Sequence, residues 1–198
     1  TKYLDATIDI HSGGIDLVFP HHENEIAEAE ACSGQTFARY WLHIEHLIVF
    51  GKKMSKSLGN FFTLRQVIRK GYDPRAIRLL YLKTHYRSKL DFDFEKLEKA
   101  QEEIKLIEGL VKDLESMKIY GDNAYDSKVE DFKKGFSKHM GDDLRTDEAW
   151  LLFLGFLREV KKEMERGVLS KDGARDIKKA VDWVDSIFGV QGECKLTP

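Results

Sequence analysis

From Thr63 to Phe188 the chain reads as one helix after another, whereas the stretch before Thr63 alternates strand-like runs with glycines around a single helix. A chain that changes period in this way must combine an α/β layer with a helical body. Thr7 to Ile10, "TIDI", alternates and is β-branched, "HSGGIDL" turns on two glycines, and His46 to Phe50 supplies a second strand-like run. Between them a helix is expected from Pro20 or His21 to Cys32, with proline in its first turn, acids early and Gly34 just beyond its end. Strand, glycine loop, helix, strand is the order of the later part of a Rossmann-like nucleotide-binding domain.

Beyond that point the helix signals are local and strong. Thr63 can cap a short helix ending near Gly71. Asp73-Pro74 is a cap followed by proline at the first helical position, and Asp93 can cap a helix from Phe94 to Met117 with apolar residues Leu97, Ile104, Ile107, Leu110, Val111 and Leu114. "IYGDNAYDS" reads as a break, after which helices are expected over Ser127–Met140, Thr146–Arg166 and Ser170–Phe188. The predicted architecture is α/β then all-α, with boundaries at 1–62, 63–117, 118–190 and a tail over 191–198.

The net charge of -2 conceals a strong segregation. Between Gly51 and Leu90 eleven basic residues face one carboxylate, Asp73; out of totals of 32 and 34, that leaves 21 basic against 33 acidic residues elsewhere. Cations concentrated in this way suit a polyanion, and Arg75 and Arg78 are candidates to touch phosphate. No apolar run approaches the length of a membrane span and no secretory leader is visible, which favours the cytoplasm. Cys32 and Cys194 stand far apart with no CxxC partner, so each is expected to be a plain thiol.

Two stretches could carry chemistry. In "DIHSGGIDLVFPHHENE", Gly13 and Gly14 let backbone approach a small ligand, His11 and Asp16 flank that approach, and His21 and Glu25, four apart on a helix, can offer two ligands to a metal. Ile26 stands where an HExxH motif would need its second histidine. In "FGKKMSKSLGN" a buried strand hands over to a loop, 51–60, bearing Lys52, Lys53 and Lys56. Lysines on a mobile loop can follow a phosphoryl group as charge develops on it.

Residue order within that loop narrows the class: Lys53-Met54-Ser55-Lys56-Ser57, "KMSKS", is the signature of class I aminoacyl-tRNA synthetases. Together with "DIHSGGIDLVFPHHENEIAEAEA" and "HYRSKLDFDFEKLEKAQ" it resembles the cysteinyl-tRNA synthetase family nearly continuously from Tyr3 to Gln101, and "FSKHMGDDLRTDEAWLLFLGFL" is similar, less closely, to the helical domain that follows there. The resemblance implies ATP-dependent ligation of cysteine to tRNA through a cysteinyl-adenylate. It implies that Lys56 and Lys53 are catalytic, that Met54 anchors the closed loop, that Gly13, Gly14 and Asp16 lie by the adenosine of ATP, and that His11 lies near the cysteine. It makes His21 and Glu25 two of four zinc ligands, with magnesium accompanying ATP, and it makes 63–117 a stem-contact region and 118–190 a tRNA-binding bundle.

That family's HIGH-type motif, connective insertion and two cysteine zinc ligands are not found in this sequence, and Cys32 does not stand where such a ligand is needed. By this resemblance the chain is expected to be the C-terminal portion of the enzyme, with a missing N-terminal half among its partners. Two other readings share the motifs in part: a cysteine ligase acting on an amino sugar, and a non-catalytic RNA-binding helical module.

Overall fold

The computed structural model describes residues 3–116, 121 and 125–192. Two compact units divide them, one comprising Thr1–Met54 with Tyr86–Asp91 and the other Ser55–His85 with Phe92–Pro198. The first division falls inside the lysine motif, between Met54 and Ser55. The expected break "IYGDNAYDS", the end of the helix at Met117, Cys194 and most of the tail lie largely or wholly outside the described residues.

In the first unit, β1 (Ile8–Gly14) pairs in parallel with β2 (Ala38–Ile44), and α1 (Glu23–Ser33) is the crossover between them. Both glycines expected to turn the chain belong to β1 and pair with His43 and Ile44 of β2. The second strand is therefore "ARYWLHI", ahead of the run His46–Phe50. Its alternation is masked because its core-side residues are Trp41 and His43, which do not read as a simple apolar series. The helix also starts later than its composition suggests. Phe19 is extended, as a residue before proline tends to be, and Val18–His22 forms a wide turn before α1 begins at Glu23. Gly34, left-handed at φ 66°, ends it as expected.

The run before the lysines forms a hairpin. β3 (Leu47–Val49) pairs antiparallel with β4 (Lys52–Lys53) around Phe50 and Gly51, both at positive φ, the conformation of the tight turns that join twisted strands. Val49 is buried, Phe50 is exposed, and the Gly51 N–H donates to the Asp91 carboxylate at 2.9 Å. β5 (Leu90–Phe92) lies on the other edge of β3.

The second unit follows the sequence closely. α2 (Leu64–Arg69) begins with a capping box: the Gln66 N–H donates to Thr63 Oγ1, and the Thr63 N–H to Gln66 Oε1. Asp73 caps α3 (Pro74–Leu82), and the Asp93 carboxylate accepts the Lys96 N–H at the start of α4 (Phe94–Ser116). α5 (Asp126–Gly141), α6 (Thr146–Glu165) and α7 (Lys171–Phe188, capped by Ser170) complete the bundle. Trp150, Phe136, Phe153, Ile177 and Phe188 are wholly buried among them, each contributing about 1.5–3 kcal/mol of transfer free energy. Glu103 ties three helices together by accepting from Lys83 Nζ at 2.6 Å and from the buried Trp150 Nε1 at 2.8 Å.

The basic segment is partly consumed by this packing. Arg75 is held by Asp73, Glu108 and the Gly192 carbonyl, and Arg78 donates to the Phe188 carbonyl, where a cation favours the end of α7. Both arginines therefore brace the helical unit, in place of the phosphate contacts that charge density suggested. Arg65, Arg69 and Lys70 of this unit are exposed.

The hydrogen-bonded Arg75 guanidinium holds the Asp73 carboxyl below its ordinary value of 3.8. A depressed carboxyl adds stability above the unfolded-state value and loses it as pH falls through that value toward the folded one. Asp73→Asn, which keeps a capping side chain and removes the charge, should lower stability at neutral pH and shrink the further loss on acidification below about pH 3.8, followed by far-ultraviolet circular dichroism.

Candidate functional site

Strand register builds the histidine cluster of the first unit. His11 stands opposite Trp41 and Gly13 opposite His43, so these four residues share one face of the β1–β2 pair. The wide turn before α1 then lays His22 onto that face. A Cβ on Gly13 would come 2.7 Å from His22 Cε1 and 2.8 Å from its Nε2, so the absence of a side chain there is what admits the ring. His22 is only 2% exposed, and its Nδ1 lies 2.9 Å from His43 Nε2 in a hydrogen bond. Trp41 stacks on His43 and lies beside both His11 and His22, with Phe37 closing the rim. Burial first, and then the neighbouring His11 and His43, lower the His22 pKa from 6.5 and keep its ring neutral.

Glu25, in the first turn of α1, reaches the same place. Its Oε2 lies 3.1 Å from His11 Nε2, yet that buried oxygen makes no hydrogen bond. The two atoms are close but misaligned for a shared proton. Ligand atoms of His11, His22 and Glu25 lie within 4.8 Å of one another, the group of described residues able to hold a metal ion. Two imidazoles and a carboxylate are donors that zinc accepts, and an unsatisfied carboxylate oxygen facing a ring nitrogen is a place where a cation would restore both. The residues fit such an ion.

The expected ligand His21 sits beside this group. It is exposed, with Nε2 3.7 Å from Glu25 Oε1. Gly14 plays the part for Asp16 that Gly13 plays for His22: a Cβ there would meet Asp16 Oδ1 at 2.5 Å. His11, Gly13 and Glu25 are thus brought together with His22, His43, Trp41 and Phe37, which the sequence reading left out, while Gly14 and Asp16 meet each other at the end of β1. The adjacent histidines and the i, i+2 spacing of Trp41 and His43 were the available signals. Cys32 is an exposed free thiol on α1.

The other stretch that could carry chemistry is the lysine loop. Lys53 lies on β4, Met54 is half-buried at the end of the first unit, and Lys56 is exposed in the second unit with its Nζ 5.9 Å from the Phe61 ring centroid. The loop is closed upon itself by side chains. The Ser55 N–H donates to Asn60 Oδ1 at 2.9 Å, and the Leu58 N–H donates to Ser55 Oγ at 3.2 Å.

A glycine-bearing strand, a crossover helix and the KMSKS loop describe a class I aminoacyl-tRNA synthetase. Solved structures share the fold: a LeuRS of Agrobacterium radiobacter K84, determined as a ternary complex with tRNA and LeuAMS, aligns over 95% of this chain and 28% of its own length with a TM-score of 0.69 at 14% identity. The methionyl-tRNA synthetase of Mycobacterium tuberculosis, determined with methionyl-adenylate, aligns over 92% and 40% with a TM-score of 0.59 at 15% identity. The sequence profile of the tRNA synthetases class I (C) catalytic domain matches residues 1–102, and the chain belongs to that family.

Relatives extend the likeness past the catalytic match. The chain is 43% identical over 195 residues to the cysteine–tRNA ligase of Persephonella marina, covering 94% of this chain and 40% of the relative. Against the enzyme of the same name from Aquifex aeolicus it is 49% identical over 156 residues, covering 75% and 31%. The chain therefore spans about 40% of the length of such relatives. The catalytic match occupies the first half of this chain, and these likenesses measure the length shared; they do not support the expected assignment to the C-terminal portion of the enzyme.

The close fit of His22 over Gly13 gives a direct test. Gly13→Ala should force the ring off β1, break its bond to His43 and destabilise the first unit by roughly 1–3 kcal/mol, read by urea unfolding and by loss of the histidine ring resonances' dispersion in NMR spectra.

Proposed function

We propose that the protein carrying this chain joins cysteine to its tRNA through a cysteinyl-adenylate made from ATP, and that these residues supply the KMSKS side of the active site. One observation carries the reading: the KMSKS loop occurs in the same chain as a half-buried His11–Glu25 pair set 3.1 Å apart without a hydrogen bond. An adenylate-forming loop and a metal-suited cluster in one chain are what selection of a thiol substrate requires. The named relatives, cysteine–tRNA ligases 43% and 49% identical to this chain over the matched residues, support the same substrate.

In this reading Lys56 lays its ammonium on the triphosphate of ATP, where negative charge grows as the cysteine carboxylate displaces pyrophosphate, and Lys53 assists. Met54 anchors the loop. Gly13, Gly14 and Asp16 take the adenosine, with magnesium arriving on the nucleotide. His11 faces the cysteine. Glu25 and His21 hold zinc as two of its four ligands, the others coming from the further length that the relatives possess. Bound zinc supplies an affinity for the substrate thiolate that serine cannot match. His22, its Nδ1 engaged by His43 and its ring against Gly13, orients the pocket. The stretch 63–117 meets the tRNA stem and 118–190 forms the tRNA-binding bundle, with Arg65, Arg69 and Lys70 better placed than the braced Arg75 and Arg78 to meet phosphate. Among the described residues no helix is long and apolar enough to cross a membrane, and a cytoplasmic setting is part of the proposal.

Cysteine-dependent exchange of pyrophosphate into ATP by the full-length protein tests the reaction. Lys56→Ala should lower that exchange by about 100-fold or more with the fold unchanged, since a positioned cation on the transferring group is worth at least ~3 kcal/mol. Exchange that depends on no amino acid, or on one other than cysteine, would defeat the proposal. Zinc content after dialysis separates the histidines: His21→Ala and Glu25→Gln should each lose the ion, while His22→Asn should keep most of it and lose thermal stability instead.

A further inference from the structure

Asn60 is 7% exposed, while Lys56, Ser57, Leu58 and Gly59, the residues just before it, all lie open to solvent. A polar side chain buried at the base of an exposed loop must satisfy its amide there, and its Oδ1 accepts the Ser55 N–H at 2.9 Å. That contact reaches back five residues, to the position directly before Lys56. The loop between is folded around it: the Leu58 N–H donates to Ser55 Oγ, Ser55 Oγ lies 3.1 Å from Ser57 Oγ, and the Gly59 N–H donates to the Lys56 carbonyl at 3.2 Å. Gly59, at φ 65°, turns the chain so that Asn60 can face inward.

We infer that Asn60 is a positioning residue for Lys56, its amide holding the KMSKS turn in the shape that presents the lysine ammonium to the nucleotide phosphates. This rests on the reading of the loop given above. A lysine stem is long and flexible, so the direction in which its charge is offered depends on the backbone that bears it. An amide suits the task because it accepts from the Ser55 N–H without bringing a carboxylate's charge close to the ammonium. Removing it leaves the Ser55 N–H to water and loosens a turn whose other named bonds are two through serine hydroxyls and one between Gly59 and the Lys56 carbonyl, so that more of the loop must be ordered each time nucleotide binds.

A double-mutant cycle on the full-length protein tests this, using cysteine-dependent pyrophosphate exchange. Asn60→Ala should lower kcat by ~10- to 100-fold, with the KM for cysteine changed by less than about 2-fold and the thermal midpoint held. In the Lys56→Ala background the same substitution should cost less than about 3-fold, because a residue that acts through Lys56 has nothing left to position. Asn60→Asp, which keeps the acceptor, should retain the thermal midpoint even if Asn60→Ala does not, and it should show the same non-additivity. Full additivity of either Asn60 variant with Lys56→Ala, or an Asn60→Ala enzyme with unaltered kcat, would overturn the inference. Absence of exchange in the unsubstituted protein would instead strike the proposed function, leaving the two failures distinct.

Discussion

Everything in the metal-suited cluster hangs on the register of one parallel strand pair. With His11 opposite Trp41 and Gly13 opposite His43, β1 and β2 put two imidazoles, an indole and a bare stretch of backbone on a single face. A slip of one residue would send all of them to the other face, because the side-chain period of a strand is two. A parallel pair also requires a crossover connection, and here α1 is that connection. The element needed to join the strands is thus the one that brings Glu25 to His11 and His22 to Gly13. The opposite face of the pair carries Ile10, 65% exposed, and Tyr40, 71% exposed, in register with each other. Parallel sheets are ordinarily covered on both faces, and relatives of this chain are considerably longer than it is.

The helical unit has a different organising logic, in which charge is spent on packing. Arg75, Arg78 and Lys83 all belong to the basic segment, and each is bonded to a carboxylate or a helix-end carbonyl, although Arg78 stays exposed. Glu103 does the complementary work from α4, and because it receives the indole N–H of a fully buried Trp150 it is a structural acceptor as much as a counter-ion. An excess of cations in a sequence window therefore overstates the charge such a window offers to a ligand. Pairing with distant acidic helices is invisible to a local count, and only the exposed remainder bears on an anionic partner.

How much could be read from sequence follows the range of the interactions involved. Helix ends were legible because capping is decided within three or four residues: Thr63 with Gln66, Asp73 with Pro74, Ser170 with Gly173, and Gly34 and Gly189 at the far ends. β2 was not legible, since its existence depends on pairing across about thirty residues and its inward positions are an aromatic and a histidine. The site was half legible for a related reason. Glu25 and His11 are fixed by helix and strand periodicity, but His21 and His22 differ by one position in a turn whose path is set by Phe19 and Pro20, and composition gives no means of choosing which ring turns inward. Asn60 escaped notice because its role is a side-chain bond back to the main chain, which leaves no periodic trace.

The inward choice of His22 has consequences for the chemistry of its neighbours. A hydrogen bond from ring nitrogen to ring nitrogen needs one donor and one lone pair, so His22 and His43 cannot both carry a proton on the atoms that face each other at 2.9 Å. Burial disfavours a charged His22, and its proton then belongs on whichever nitrogen the His43 tautomer leaves to it. The carboxylate of Glu25 accordingly meets an aromatic and imidazole wall with no fixed positive charge from His22 to neutralise it. An ion held by Glu25 would meet an anion already partly stripped of water, beside a His22 ring that Gly13 and Trp41 already hold in place, so the folding of the strand pair would have met part of the cost of ordering its surroundings.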